Sequence, residues 1–159
     1  LARSDYVVVQ IGANEVTGYL DDSNCLGAKA ATCRMPALDS LRSNLQTVVK
    51  EARRGGRRPT IAFLGYWNVS VDGAVAAQEG PDFVTASDLL TRRTNAVIAQ
   101  VASQSGAVYV DTYAALKGPN GDLDSTNLLQ ADGDHPDADG HEVLAAATFN
   151  ALRAAHKLP

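Results

Sequence analysis

At 159 residues, 45% of them hydrophobic, the chain has the material for one ordinary domain with a core of its own. Its formal net charge of -4 argues against nucleic acid or an anionic membrane as main partner, because both reward clustered Lys and Arg. No apolar stretch approaches the roughly 20 residues needed to span a bilayer, and no signal-peptide pattern opens the chain.

The first element is DYVVVQIG (5–12), a continuous β-branched run ending in glycine, which predicts a strand buried on both faces. Because the chain opens at Leu1 without a methionine, a segment is expected to have preceded it. Cys25 and Cys33 lie close together in a polar, glycine-containing segment, where a short disulfide loop is expected in an oxidising compartment, the alternative being two free thiols. From Pro36 to Ala52 the apolar positions Leu38, Leu41, Leu45, Val48 and Val49 recur at helical spacing, and Gly55 stops that helix. Arg53, Arg54, Arg57 and Arg58, the one basic run, read as its solvated C-terminal turn.

TIAFLG (60–65) predicts a second short strand, followed by an irregular segment from Tyr66 to Val84. Asn68-Val69-Ser70 within it adds a weak sequon hint toward secretion. Thr85, with Asp88 three residues on, resembles a capping box opening a helix through Leu89, Leu90, Val97, Ile98 and Val101 to Gly106. AVYVD (107–111) predicts a third strand, and a turn-rich stretch then leads to QADGDHPDADGHEVLAAA (130–147) and a last helix through Leu152. Strands separated by helices imply parallel pairing with right-handed crossovers, hence a layered α/β domain over 1–159. In such sheets ligands bind at the carboxyl ends of the strands, so Gly12-Ala13-Asn14-Glu15, Gly65-Tyr66-Trp67-Asn68, Asp111-Thr112-Tyr113 and the acidic motif in the loop after the third strand can converge on one rim.

The acidic motif invites three readings. A calcium loop needs oxygen ligands at alternating positions, and alternation from Asp132 and Asp134 meets Pro136, while alternation from Asp137 and Asp139 meets His141. A zinc site on His135 and His141 lacks a supporting HExxH helix or Cys pair, so no metal and no organic cofactor is assigned. A helix-dipole turn accounts for Asp137 and Asp139 but not for His135 ahead of Pro136. A general base needs a carboxylate to fix its tautomer, and Asp132 and His135, three apart in a turn, can meet in that way. Asn14, just past a buried strand and a permissive Gly12, suits the neutral donor of an oxyanion hole.

With these residues the chain resembles the SGNH, or GDSL, hydrolases. IGANE (11–15) is similar to their third block, glycine, any residue, asparagine, aspartate, and DGDHPDADGH (132–141) to their last block, Asp-x-x-His followed by proline. The resemblance implies a flavodoxin-like three-layer α/β/α sandwich and ester hydrolysis by a Ser–His–Asp triad. It makes His135 the base, Asp132 its orienting carboxylate and Asn14 an oxyanion donor, with Gly12 shaping the loop. Glu15 departs from the family's aspartate. Tyr66 and Trp67 would line the acyl or alcohol pocket, or else close the top of the core. His141 reads as structural, capping or packing beneath the site.

The family's Gly-Asp-Ser block is absent, and the Asp-Ser pairs at 22–23, 39–40 and 124–125 do not follow a buried strand, so each reads as loop or cap chemistry. At least one βαβ unit, roughly 30 residues or more, is missing relative to the family. The strand at 5–11 would then be an edge that invites pairing with another chain. The expectation is a secreted or extracytoplasmic serine esterase of short acyl or carbohydrate esters, its serine supplied by an N-terminal fragment. The alternative is a noncatalytic SGNH-like binding module that has lost its nucleophile.

Overall fold

The structure, a computed structural model, describes residues 4–18, 25, 33, 35–67 and 70–158. Three short runs form a parallel sheet in the order β1-β2-β3: β1 (Tyr6–Val9), β2 (Thr60–Leu64) and β3 (Val108–Val110). The register sets Val7 opposite Ile61 and Val9 opposite Phe63, then Ala62 opposite Val108 and Leu64 opposite Val110. The helices are α1 (Ala13–Thr17), α2 (Met35–Ala52), α3 (Gly73–Glu79), α4 (Pro81–Ser105), α5 (Thr112–Lys117) and α6 (Ala138–Ala154).

The strand period of two sorts the core into two layers. Ile61 and Phe63 of β2 join Val7, Leu41, Leu45, Ile98 and Val101 on the face covered by α2 and α4. Ala62 and Leu64 join Val108, Val110 and Leu152 on the face covered by α6. This is the three-layer α/β/α arrangement that the alternation of strands and helices implies.

Three expectations need correction. β1 is buried on one face only: Val7 is in the core, but Val8 is 55% exposed and Tyr6 41%, because α6 packs on β2 and β3 and leaves this face of β1 open. Thr85 does not open α4. That helix starts at Pro81, whose fixed φ suits a first helical position, after Gly80 at φ 84°. Thr85 lies inside it, with Oγ1 donating to Pro81 O at 2.8 Å, while the Asp88 carboxylate takes Arg92 Nε at 2.8 Å and the Tyr113 hydroxyl at 2.5 Å. The stretch 66–84 is not wholly irregular, since it contains α3. The helix read from Pro36 to Ala52 is α2, which begins one residue earlier at Met35, and Gly55 follows its end at φ 74°. Of the basic run beyond it, Arg53 donates to Ser105 O at 2.7 Å and Arg57 to Ser4 O at 3.2 Å, so two of its four arginines tie the lower ends of the sheet together.

Cys25 and Cys33 form a disulfide with their Cα atoms 5.5 Å apart. Asn68 and Val69 of the sequon and the Asp-Ser pair at 22–23 lie outside the described residues. Among the described residues no helix is long and apolar enough to cross a membrane.

Candidate active site

At the carboxyl end of β1 the chain must turn sharply into α1. Gly12 makes the turn at φ 125°, and a Cβ there would meet Leu41 Cδ1 at 2.7 Å, so the bend needs both the missing side chain and the positive φ. Asn14 follows as the second residue of α1 and is exposed on the rim. It lines an open cleft of about 880 Å³ together with Gln10, Glu15, Tyr66, Trp67, Asp134 and His135. Of the segments expected to converge on one rim, Gly12–Glu15, Tyr66-Trp67 and the His135 loop do so, whereas Asp111, Thr112 and Tyr113 do not line the cleft: Asp111 caps α5 and the Tyr113 hydroxyl donates to Asp88.

The loop carrying His135 is a narrow hairpin ahead of α6. Leu129 and Pro136 bridge its stem, Gln130 N donates to His135 O at 2.8 Å, and Asp137 N donates to Leu128 O at 3.0 Å. Asp137 caps α6 by accepting from Gly140 N, leaving Asp139 in the first turn, as the helix-dipole reading requires. Asp132 organises the hairpin tip. Its Oδ1 accepts from the N–H groups of Asp134 and His135, each at 3.0 Å, and its Oδ2 lies 2.8 Å from His135 Nδ1. A carboxylate only accepts, so Nδ1 carries a proton, and in the neutral ring Nε2 keeps its lone pair, the tautomer a general base needs.

The electrostatics follow from those contacts. The Asp134 and His135 N–H groups, and then the His135 ring, hold the Asp132 carboxyl down at about 2. The Asp132 hydrogen bond raises the His135 imidazole above its ordinary value, and the negative charge of Asp134 adds to the rise. Burial pushes the Asp134 carboxyl up, partly countered by His135. The imidazole and its carboxylate have side chains 67% and 46% exposed, so solvent screens their attraction and the pairing serves orientation more than stability.

Tyr66 and Trp67 are at once core and rim. They are 7% and 8% exposed with ring centroids 5.7 Å apart, yet both line the cleft. Trp67 Nε1 donates to Asp134 O at 2.7 Å, and the Tyr66 hydroxyl accepts from Ala13 N at 2.9 Å. Burial pushes the Tyr66 hydroxyl up; the Ala13 hydrogen bond opposes the rise, and the charges of Glu15 and Asp134 add to it.

His141 does not pack beneath the site. It stands on the exposed face of α6, because the apolar stripe of that helix falls on Leu144 and Leu152. The two described Asp-Ser pairs are not nucleophile turns: Ser40 is exposed within α2, and Ser125 is buried with its hydroxyl donating to Asp72 at 2.7 Å. Among the described residues no group of three or more His, Cys, Asp or Glu side chains is placed to hold a metal ion.

Sequence reasoning missed Asn95, Asp134 and Gln10. Asn95 had a signal, since a polar side chain one turn before Ile98 on the buried stripe of α4 demands a partner inside. Asp134 and Gln10 had none beyond adjacency to His135 and Ile11.

Comparison with known proteins bears on the family and the fold. The family model of the GDSL-like Lipase/Acylhydrolase family matches residues 1–143. The solved acetylxylan esterase Axe2 from Geobacillus stearothermophilus is similar at 25% identity and a TM-score of 0.59, over 95% of this chain and 59% of that one. A variant of Axe2, described as an acetyl-xylooligosaccharide esterase, gives a TM-score of 0.64 at 22% identity, over 93% and 59% of the two chains. LAE5, an α/β hydrolase from the metagenome of Lake Arreo, gives 0.61 at 21%, over 98% and 61%. Axe2 has also been solved as catalytic mutants at a serine, at an aspartate and at a histidine three residues after that aspartate. No curated protein matches the chain. The chain spans about 59% of the length of the first esterase structures it matches.

Proposed function

The chain belongs to the GDSL-like Lipase/Acylhydrolase family, and from that premise we propose that it is the base-bearing part of an extracytoplasmic serine esterase acting on short acyl or carbohydrate esters. One observation carries the reading: Asp132 Oδ2 lies 2.8 Å from His135 Nδ1, on a hairpin that shares its cleft with Asn14. The Asp-x-x-His spacing equals that of the catalytic aspartate and histidine of Axe2.

The serine comes from residues outside this chain. Support for this comes from the length of the related esterases and from β1, which among the described residues pairs with β2 alone and exposes Tyr6 and Val8. An added strand would complete its ladder of backbone hydrogen bonds. His135 Nε2 takes the serine proton as Oγ attacks the ester carbonyl, and Asp132 stabilises the imidazolium. The Asn14 amide donates to the oxyanion of the tetrahedral intermediate. The imidazolium then protonates the leaving alcohol, and water, activated by the same histidine, releases the acid from the acyl-enzyme. Gly12 keeps the Asn14 turn in place, while Tyr66 and Trp67 form the apolar part of the cleft wall. The Cys25–Cys33 disulfide supports an oxidising compartment.

The deciding experiment is intact-mass analysis of the native material before and after a fluorophosphonate serine probe, alongside acetyl-ester hydrolysis. A co-purifying chain or attached segment that takes the label, with labelling and turnover lost in His135→Ala, is the expected result. A single unlabelled species without ester turnover would remove the catalytic reading and leave a binding module.

A further inference from the structure

The two halves of the cleft, the turn bearing Asn14 and the hairpin bearing His135, share no strand and no helix. What joins them is the dipeptide after β2. The Tyr66 hydroxyl takes the Ala13 N–H at 2.9 Å on one side, and Trp67 Nε1 reaches Asp134 O at 2.7 Å on the other. The dipeptide is itself held by one buried amide: Asn95, 6% exposed, accepts from Tyr66 N at 2.7 Å and donates to Tyr66 O at 2.8 Å. Gly65 permits that approach, because a Cβ there would meet the Tyr109 hydroxyl at 2.7 Å and Asn95 Oδ1 at 3.0 Å.

Asn95 spends its amide on the main chain of a single residue of a loop. A buried polar side chain used in this way fixes position more than it adds stability. We infer that Asn95, Tyr66 and Trp67 form a positioning strap that sets the separation between the oxyanion side and the base side of the cleft. Its role in catalysis rests on the reading of His135 and Asn14 given above; its existence does not. In this role the three are positioning residues: Tyr66 acts through Ala13, Trp67 through Asp134, and Asn95 through the Tyr66 main chain.

The test uses this chain and two NMR readouts, which need no nucleophile: exchange of the Ala13 amide and the titration of the His135 ring. Tyr66→Phe removes the acceptor of the Ala13 N–H and keeps the ring, so that amide should exchange about tenfold faster while His135 titrates as before. Trp67→Phe removes the indole donor and frees the Asp134 main chain. It should lower the His135 midpoint, as the contacts with Asp132 and Asp134 loosen, with the Ala13 amide unmoved. Asn95→Ala should move both readouts together. The strap is overturned if either ring variant leaves its own readout unchanged, or if both readouts move in both variants, the signature of general loosening. Should Asn95→Ala fail to fold, the two phenylalanine variants still decide. Ester turnover is scored separately, so loss of the esterase reading leaves these outcomes intact.

Discussion

Gly12→Ala offers the sharpest test of how the cleft is built. Alanine at φ 125° occupies backbone space that L side chains rarely adopt, at a cost of about 1–3 kcal/mol. Its Cβ also lands 2.7 Å from Leu41 Cδ1, where ordinary carbon contacts lie near 3.5–4.0 Å. Leu41 is fully buried and cannot swing away into solvent, so this overpacking adds about 1–3 kcal/mol. A total of about 4 kcal/mol corresponds to a fall in Tm of about 8–16 °C for a chain of this size. Thermal melts of Gly12→Ala, Leu41→Ala and the double variant separate the two causes. Leu41→Ala alone costs about 2–5 kcal/mol through its cavity, but in that background Gly12→Ala should be cheaper by about 1–2 kcal/mol, because the new methyl has somewhere to go. A single variant that melts with the parent chain would falsify the turn geometry. A double variant in which the two costs simply add would show that the clash is not what glycine avoids.

Asp132→Asn should drop the His135 titration midpoint toward its ordinary value, read by NMR, and shift the acid limb of any ester hydrolysis to lower pH. The sign follows from the raised folded-state value: the protonated imidazole adds stability below the ordinary histidine range and loses it as pH rises through the raised midpoint, so the variant should melt with less pH dependence there. Lys117→Met breaks a buried pair, Lys117 Nζ to Asp72 Oδ2 at 2.8 Å, with side chains 6% and 14% exposed. Because Asp72 keeps the N–H and hydroxyl of Ser125, the loss should sit near the lower end for such pairs, about 3 kcal/mol in urea unfolding. Gly140→Ala sets a methyl against Leu128 O and 2.9 Å from Pro136 Cβ, and should lower the urea midpoint by an amount equivalent to about 1–3 kcal/mol without changing the m-value.

The parts legible from sequence were those in which one local rule decides. Short apolar runs gave the strands, helical spacing gave α2, and the Asp-x-x-His-Pro spacing brought Asp132 onto His135. Elements that depend on distant partners were not legible. The start of α4 looked like a capping box at Thr85 because the pattern was present; only the three-dimensional pairing of Asp88 with Arg92 and Tyr113 shows where that carboxylate goes. The exposure of Val8 follows from which helices cover which strands, a property of topology that no window of β1 contains. Tyr66 and Trp67 could be read either as pocket or as core because they are buried and also line the cleft, and what they hold became visible only with Ala13 and Asp134 beside them.

The exposed Asp132–His135 pair raises a final question: how a site with so little burial keeps its geometry. Aspartate answers it by using its two oxygens differently. Oδ1 ties down the N–H groups of Asp134 and His135, which fixes the hairpin tip, and Oδ2 then meets an imidazole already carried by that tip. The imidazole is thus oriented by the same side chain that shapes its backbone, and the cost of ordering the ring in water is reduced because little of the loop is left to order. Glutamate would move both oxygens out by one methylene and could satisfy one set of partners only by abandoning the other. Asp132→Glu should therefore speed exchange of the His135 amide and lower the ring's titration midpoint together, whereas an orienting role confined to Oδ2 would move the ring alone.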